Sequence, residues 1–157
     1  MTDPKQEIYN ILYADLENES VLDVGCGTSE AMPIVGEYYG IDWLFNWDWC
    51  EYPIEEHSYD VIIANDLFPN VDQRLELFLE KYLPHCKEMR LSLTYFDEPK
   101  WYRAKRVDGD EVLTMLQWTR AQIYHVLPRL VVKAKVFDGT FPNGRRVLLA
   151  WLKGGLA

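Results

Sequence analysis

Val21-Leu22-Asp23-Val24-Gly25-Cys26-Gly27-Thr28-Ser29-Glu30 decides how the rest of this chain is read. A short apolar run carries an acid and breaks directly into two glycines spaced G-x-G. Glycine lets the backbone turn through conformations closed to other residues and lets a ligand approach the main chain closely. A turn of this kind, between a strand and a helix at the carboxyl edge of a parallel sheet, is where nucleotide-like ligands sit in doubly wound folds. The G-x-G-x-x-G/A dinucleotide fingerprint does not fit, because Glu30 stands where a small residue is wanted.

Strand and helix signals alternate on both sides of this stretch. Asp3 before Pro4, with Gln6 at the third helical position, starts a helix carrying Ile8, Ile11, Leu12 and Leu16 at helical spacing. Ser20–Val24 is the first strand, Glu30–Glu37 a short helix with Pro33 in its first turn, and Tyr38–Ile41 a second strand ending at Asp42. Tyr59–Ala64 is nearly all apolar, as a central parallel strand buried on both faces should be. Asp72–Leu83 reads as a helix with Leu75, Phe78, Leu79, Tyr82 and Leu83 on one face and Pro84 closing it. Met89–Tyr95 is the next strand, and 97–110 reads as a long loop. Asp110–Leu127 is expected to be one long helix stopped by Pro128. Leu130–Phe137 and Arg146–Leu152 are final strands, with Asn143-Gly144 favouring a tight hairpin between them. This is a single α/β domain over 1–157, with a mostly parallel sheet that gains antiparallel character at one edge.

Composition narrows the function classes. The chain is 48% hydrophobic and 26% charged, an ordinary globular mix, and no apolar window approaches membrane-spanning length. Its N-terminus lacks the build of a secretory signal. A formal charge of −9 argues against a nucleic-acid substrate, which needs a basic surface. Cys26, Cys50 and Cys86 are odd in number and lack C-x-x-C spacing, which speaks for reduced thiols in a cytoplasmic protein and against a metal site.

The segment L-D-V-G-C-G-T resembles the first motif of class I S-adenosylmethionine-dependent methyltransferases, and the order of elements is similar along nearly the whole chain. The resemblance implies a three-layer αβα Rossmann-like methyltransferase fold. It implies that Gly25, Cys26 and Gly27 bring the backbone against the methionine portion of S-adenosylmethionine, with Asp23 ordering the turn and contacting that portion directly or through water. Ser29 stands where family members commonly carry a third glycine. Asp42, at the end of the second strand, is implied to accept from the ribose hydroxyls. The resemblance also places Asn65 and Asp66 toward the cofactor or the methyl acceptor. Asp66 and Leu67 occupy the proline positions of the Asn-Pro-Pro-aromatic motif, which lowers a nucleic-acid substrate further.

One departure stands out. Five residues separate Asp42 from Asp48, whereas a parallel crossover needs about a dozen or more. The usual helix is therefore absent, and the third strand is missing, antiparallel or irregular. Trp43, Phe45, Trp47 and Trp49 alternate there, which at strand period puts four aromatics on one face. Trp43 and Phe45 suit either an adenine wall or a covered sheet edge; Asp48 and Trp49 are expected at the adenine.

Methyl transfer asks mainly for placement of donor and acceptor. Asp66, Tyr95 and Asp97 lie at strand carboxyl ends and are the candidates for a base, although the sequence singles out none of them. Lys100, Arg103, Lys105 and Arg106 with Trp101 and Tyr102 suit either a segment that recognises an anionic or sugar-like acceptor or a solvated loop. The expectation is a methyltransferase acting on oxygen or nitrogen of a small molecule, with a homo-oligomer left open. The alternative is a non-catalytic binding or scaffold protein of the same fold.

Overall fold

A computed structural model describes residues 3–27, 29, 31–105, 110–127, 131–139, 141 and 144–156. In chain order the elements are α1 (Pro4–Leu12), β1 (Ser20–Val24), β2 (Glu37–Ile41), β3 (Tyr59–Asn65), α2 (Leu75–Tyr82), β4 (Cys86–Tyr95), β5 (Lys100–Lys105), β6 (Val112–Gln117), α3 (Arg120–Val126), β7 (Val131–Val136) and β8 (Arg146–Lys153). The main sheet has the order β2-β1-β3-β4-β8-β7. Its first four strands are parallel, and β8 runs antiparallel between β4 and β7. The expected mostly parallel sheet with an antiparallel C-terminal strand is therefore present.

Strand alternation sorts the apolar residues into two layers. Leu22, Val24, Ile62, Ala64, Leu91, Leu148 and Ala150 pack with Leu75, Phe78, Leu79 and Tyr82 of α2 and Ile123 of α3. Val21, Val61, Ile63, Val147 and Leu149 face the other way, onto Ile8 and Leu12 of α1. Asp3 starts α1 by accepting from the Lys5 amide at 3.1 Å, ahead of Pro4. Arg90 on β4 donates to the carbonyls of Leu12 and Ala14 at 2.8 Å each, which ties the end of α1 to the sheet.

Four sequence expectations are corrected. The helix expected over Glu30–Glu37 is a single 3-10 turn, Met32–Ile34, among the described residues, and β2 already begins at Glu37. Gly36 passes so close to Asn18 and Glu19 that a Cβ would lie 2.9 Å from the Glu19 amide nitrogen, and this approach straightens the chain. The long helix expected over Asp110–Leu127 is instead strand β6 followed by the short helix α3. Thr119 and Gln122 form a reciprocal capping box that fixes the start of α3. Much of the loop expected over 97–110 is β5, paired antiparallel with β6 from Lys100↔Gln117 to Lys105↔Val112. The alternating aromatics of 43–49 do not share one face. They lie in successive turns, with Trp43 49%, Phe45 68% and Trp47 41% exposed, whereas Trp49 is 5% exposed in the core. Turns thus replace the third strand, and β2 is left as the outer strand of the sheet. Thr28, Glu30, Arg106, Pro128, Leu130 and Asn143 lie outside the described residues.

Candidate functional site

The glycine turn is strapped to the end of β2. The Gly25 and Cys26 amides donate to the Ile41 carbonyl at 2.8 and 3.1 Å, and the Gly27 amide donates to Asp42 Oδ2 at 3.0 Å. Asp42 Oδ1 accepts from the Leu44 amide at 3.0 Å, so one carboxylate braces the turns on both sides of the sheet edge. Gly25 and Gly27 have φ of +74° and +55°, the left-handed region that favours glycine. Ser29 takes φ +61°, the conformation a third glycine would adopt without strain. A Cβ on Gly27 would meet nothing within 4 Å, and one on Gly25 would touch Leu67 at 3.5 Å. The bend is open.

Asp23 sits behind the turn, 4% exposed. Tyr13 donates its hydroxyl to Oδ1 at 2.6 Å, and Tyr38 donates to Oδ2 at 2.8 Å. Burial pushes this carboxyl above its usual range, against the two tyrosine hydrogen bonds. Burial and the facing Asp23 charge likewise raise both phenols. Asp23 pairs with Gly40 across β1 and β2, and Tyr38 reaches the acid by lying over Gly40. A Cβ there would stand 3.0 Å from the Tyr38 ring and 2.9 Å from Cys26 Sγ. A glycine inside a strand signals such a close approach, and this is the sign that could have pointed to Tyr38.

In front of the turn opens a cavity of about 810 Å³, within the range of small-molecule sites. Val24, Gly25, Ile41 and Asp42 form its inner end; Trp43, Leu44 and Trp47 form one wall. The β5–β6 hairpin forms the opposite wall through Tyr102, Lys105, Leu113, Thr114 and Met115. Gln73 couples the hairpin to the loop after β3: its side-chain amide donates to the Leu116 carbonyl, and the Leu116 amide donates back to Oε1 at 3.4 Å.

The cavity floor is a closed polar network on an aromatic base. Trp49 contacts Phe68, Phe78 and Tyr82 edge-on and donates its indole N–H to Asp72 at 2.9 Å. Arg74 lies over the Trp49 ring at 4.6 Å and pairs with Asp72 at 2.6 Å and Asp48 at 3.5 Å. Burial alone would raise the Asp72 carboxyl; the hydrogen bonds from Arg74 and Trp49 carry it below its usual range. Asp48 Oδ1 also accepts from the Cys50 amide at 3.0 Å.

Of the sequence candidates, Gly25, Asp42, Trp43, Asp48 and Trp49 line this cavity. Cys26 and Gly27 continue the same turn, and Asp23 stands behind it. Asn65 and Asp66 directly precede Leu67 and lie outside the lining. Ser92 donates to Asn65 at 2.6 Å and accepts from the Asp66 amide at 2.8 Å, which holds Asp66 at φ +59°. Burial raises the Asp66 carboxyl although Arg145 pairs with it at 3.2 Å. Tyr95 is buried under Arg146, and Asp97 pairs with Arg146 at 3.6 Å beside a separate hollow. The structure brings neither to the cavity. Sequence reasoning did not name Gln73, Arg74 or Leu113–Met115 as site residues, because the folding of 100–117 into a hairpin is what carries the last three there.

No protein-family model matches the sequence, and no curated protein matches it significantly. Solved structures do match the fold. The N-terminal domain of EvdMO1 with S-adenosylhomocysteine bound superposes with a TM-score of 0.59 at 12% identity, over 98% of this chain and 82% of that one. Magnesium protoporphyrin IX methyltransferase from Synechocystis PCC 6803, also with S-adenosylhomocysteine, gives 0.58 at 14% identity over 95% and 83%. Burkholderia thailandensis 1,6-didemethyltoxoflavin-N1-methyltransferase, with 1,6-didemethyltoxoflavin and S-adenosylhomocysteine, gives 0.58 at 16% identity over 96% and 78%. Strand order, the antiparallel last strand and these superpositions agree: the chain has the fold of class I S-adenosylmethionine-dependent methyltransferases.

Proposed function

We propose that this protein is an S-adenosylmethionine-dependent methyltransferase acting on oxygen or nitrogen of a small-molecule acceptor. The observation that carries the reading is the open Gly25–Gly27 bend, braced by Asp42, at the inner end of a cavity at the carboxyl edge of the sheet. The residues present fit the cofactor. Empty space above Gly27 admits an amino-acid portion against the main chain, and Asp42 keeps acceptor capacity for ribose hydroxyls beyond its two backbone partners. Trp43 and Trp47 offer apolar surface to a base, and Asp48 presents its second oxygen toward an exocyclic amine. Bound there, S-adenosylmethionine supplies a methyl group on a sulfonium, open to in-line transfer onto an acceptor lone pair. The contribution of the chain is placement and exclusion of water between the two cavity walls. No helix among the described residues is long and apolar enough to cross a membrane, and the free thiols suit the reducing cytoplasm, which we propose as its compartment.

Isothermal titration with S-adenosylhomocysteine tests the reading. Binding is expected, and Asp42→Ala should weaken it by about tenfold, roughly the loss of a charged hydrogen-bond pair. A folded wild-type chain that gives no heat would remove the proposal. A second reading, a binding or scaffold protein without turnover, is favoured by the engagement of Asp23 on both oxygens by Tyr13 and Tyr38. It predicts binding of S-adenosylhomocysteine, or none, and no methylated product by mass spectrometry from any acceptor pool.

A further inference from the structure

Three carboxylates and two cations line the cavity, and most of this charge is already engaged. Asp42 accepts from the Gly27 and Leu44 amides. Asp48 and Asp72 share the Arg74 guanidinium, which is further held over Trp49. Lys105 differs. Its ion pair is with Asp110 at 3.7 Å, and both side chains are largely in solvent, a pair worth little in water. The ammonium therefore stands at the cavity rim with its charge available. Trp43, Leu44 and Trp47 line the cavity together with Tyr102, Leu113 and Met115, so the remaining surface is apolar and rich in rings. On β5, Arg103 shares the side of Lys105 two residues away, whereas Lys100 lies on the other side at the far end and lines a separate hollow.

Building on the methyltransferase reading, we propose that the acceptor is a flat, largely apolar molecule bearing one anionic group. Its ring lies against Tyr102, Leu113 and Met115 of the hairpin, clear of the Trp43 and Trp47 surface given to the base, and its anion rests on Lys105. Apolar walls with one charged group fixing orientation are how small-molecule sites obtain selectivity. The charge at the rim selects the anion, and the walls select the ring.

The test uses two fluorescent probes of one skeleton on the full chain: 8-anilinonaphthalene-1-sulfonate and its uncharged relative N-phenyl-1-naphthylamine. Both are titrated with and without S-adenosylhomocysteine, whose own binding is measured separately by calorimetry. Lys105→Glu should weaken the sulfonate by about tenfold and the uncharged probe by less than about twofold, and Lys105→Arg should retain both. Lys100→Glu makes the same charge change at the other end of the hairpin and should move neither probe by more than about twofold. Tyr102→Ala should weaken both probes alike. Equal loss of both probes in Lys105→Glu would overturn the anchor, as would an equal effect of Lys100→Glu or indifference of both probes to Tyr102→Ala. Absence of S-adenosylhomocysteine binding with the Lys105 effect intact would instead overturn the cofactor reading and leave the anionic site standing.

Discussion

Gly27→Ala separates a structural role for the bend from a ligand-binding one. At φ +55° an alanine pays the left-handed penalty of about 1–2 kcal/mol. The restricted unfolded chain returns about 0.4–1 kcal/mol of that. With nothing within 4 Å of the new methyl, no clash adds to it, so the net loss is about 1 kcal/mol, or about 2–4 °C in Tm for a chain of this size. The same empty space is where the amino-acid portion of S-adenosylhomocysteine is proposed to lie. A methyl there should weaken binding by about tenfold, equivalent to about 1.4 kcal/mol. Gly144 supplies the control, since it has φ +79°, equally open surroundings and a place in the connection between β7 and β8, outside the glycine turn. Gly144→Ala should lose similar stability and no affinity. Scanning fluorimetry and calorimetry on both variants give the answer. If Gly27→Ala melts as expected yet binds S-adenosylhomocysteine within about twofold of wild type, the reasoning that ligand atoms occupy that space is wrong.

Three other perturbations are informative. Trp49→Ala should cost about 3–5 kcal/mol in urea unfolding, because it empties an aromatic core position and strips a hydrogen bond from Asp72; a loss below about 1 kcal/mol would contradict the packing described. Asp23 has its folded pKa above the unfolded value of about 3.9, so the folded state holds more protons between the two and wild-type stability falls as pH rises through that window. Asp23→Asn should therefore gain relative to wild type as pH rises from the unfolded value of about 3.9 toward neutrality, and thermal melts showing the opposite trend would refute the burial argument. Gln73→Ala should speed amide hydrogen exchange at Leu116, whose N–H loses its partner, and unchanged protection there would show that the hairpin is held by other contacts.

Much of the sheet was readable because its strands are buried on both faces. Apart from Asp23 and Asp60, Val21–Val24 and Tyr59–Ala64 are apolar regardless of side, so no register had to be guessed. Gly25 and Gly27 were legible for a related reason, since they directly follow the first of those strands, and Asp42 because it ends the short strand after the glycine turn. The hairpin was not, since β5 and β6 stabilise each other across intervening chain and neither carries a decisive local signal. Thr119 followed by Gln122 was the overlooked mark, a cap that places the start of α3 after residue 118 and leaves Val112–Gln117 outside it. In 43–49 the alternation of aromatics misled. Asn46 accepts from the Asp42 and Trp47 amides, and Asp48 accepts from the Cys50 amide, so short polar side chains fold the backbone into turns before period-two pairing can develop. The partnership of Asp23 with Tyr13 and Tyr38 depends on packing between α1 and β2 and leaves no trace in spacing.

The hairpin joins the body at its root, where the Phe96 amide donates to the Trp118 carbonyl at 2.8 Å, and along β6 through Gln73. Its far tip, beside Val112, carries Lys105. On the proposed acceptor site the ammonium serves arrival and the apolar hairpin surface serves residence, which become separate problems for the protein. Ionic strength should govern how fast a charged guest is captured, whereas the depth of ring insertion should govern how long it stays.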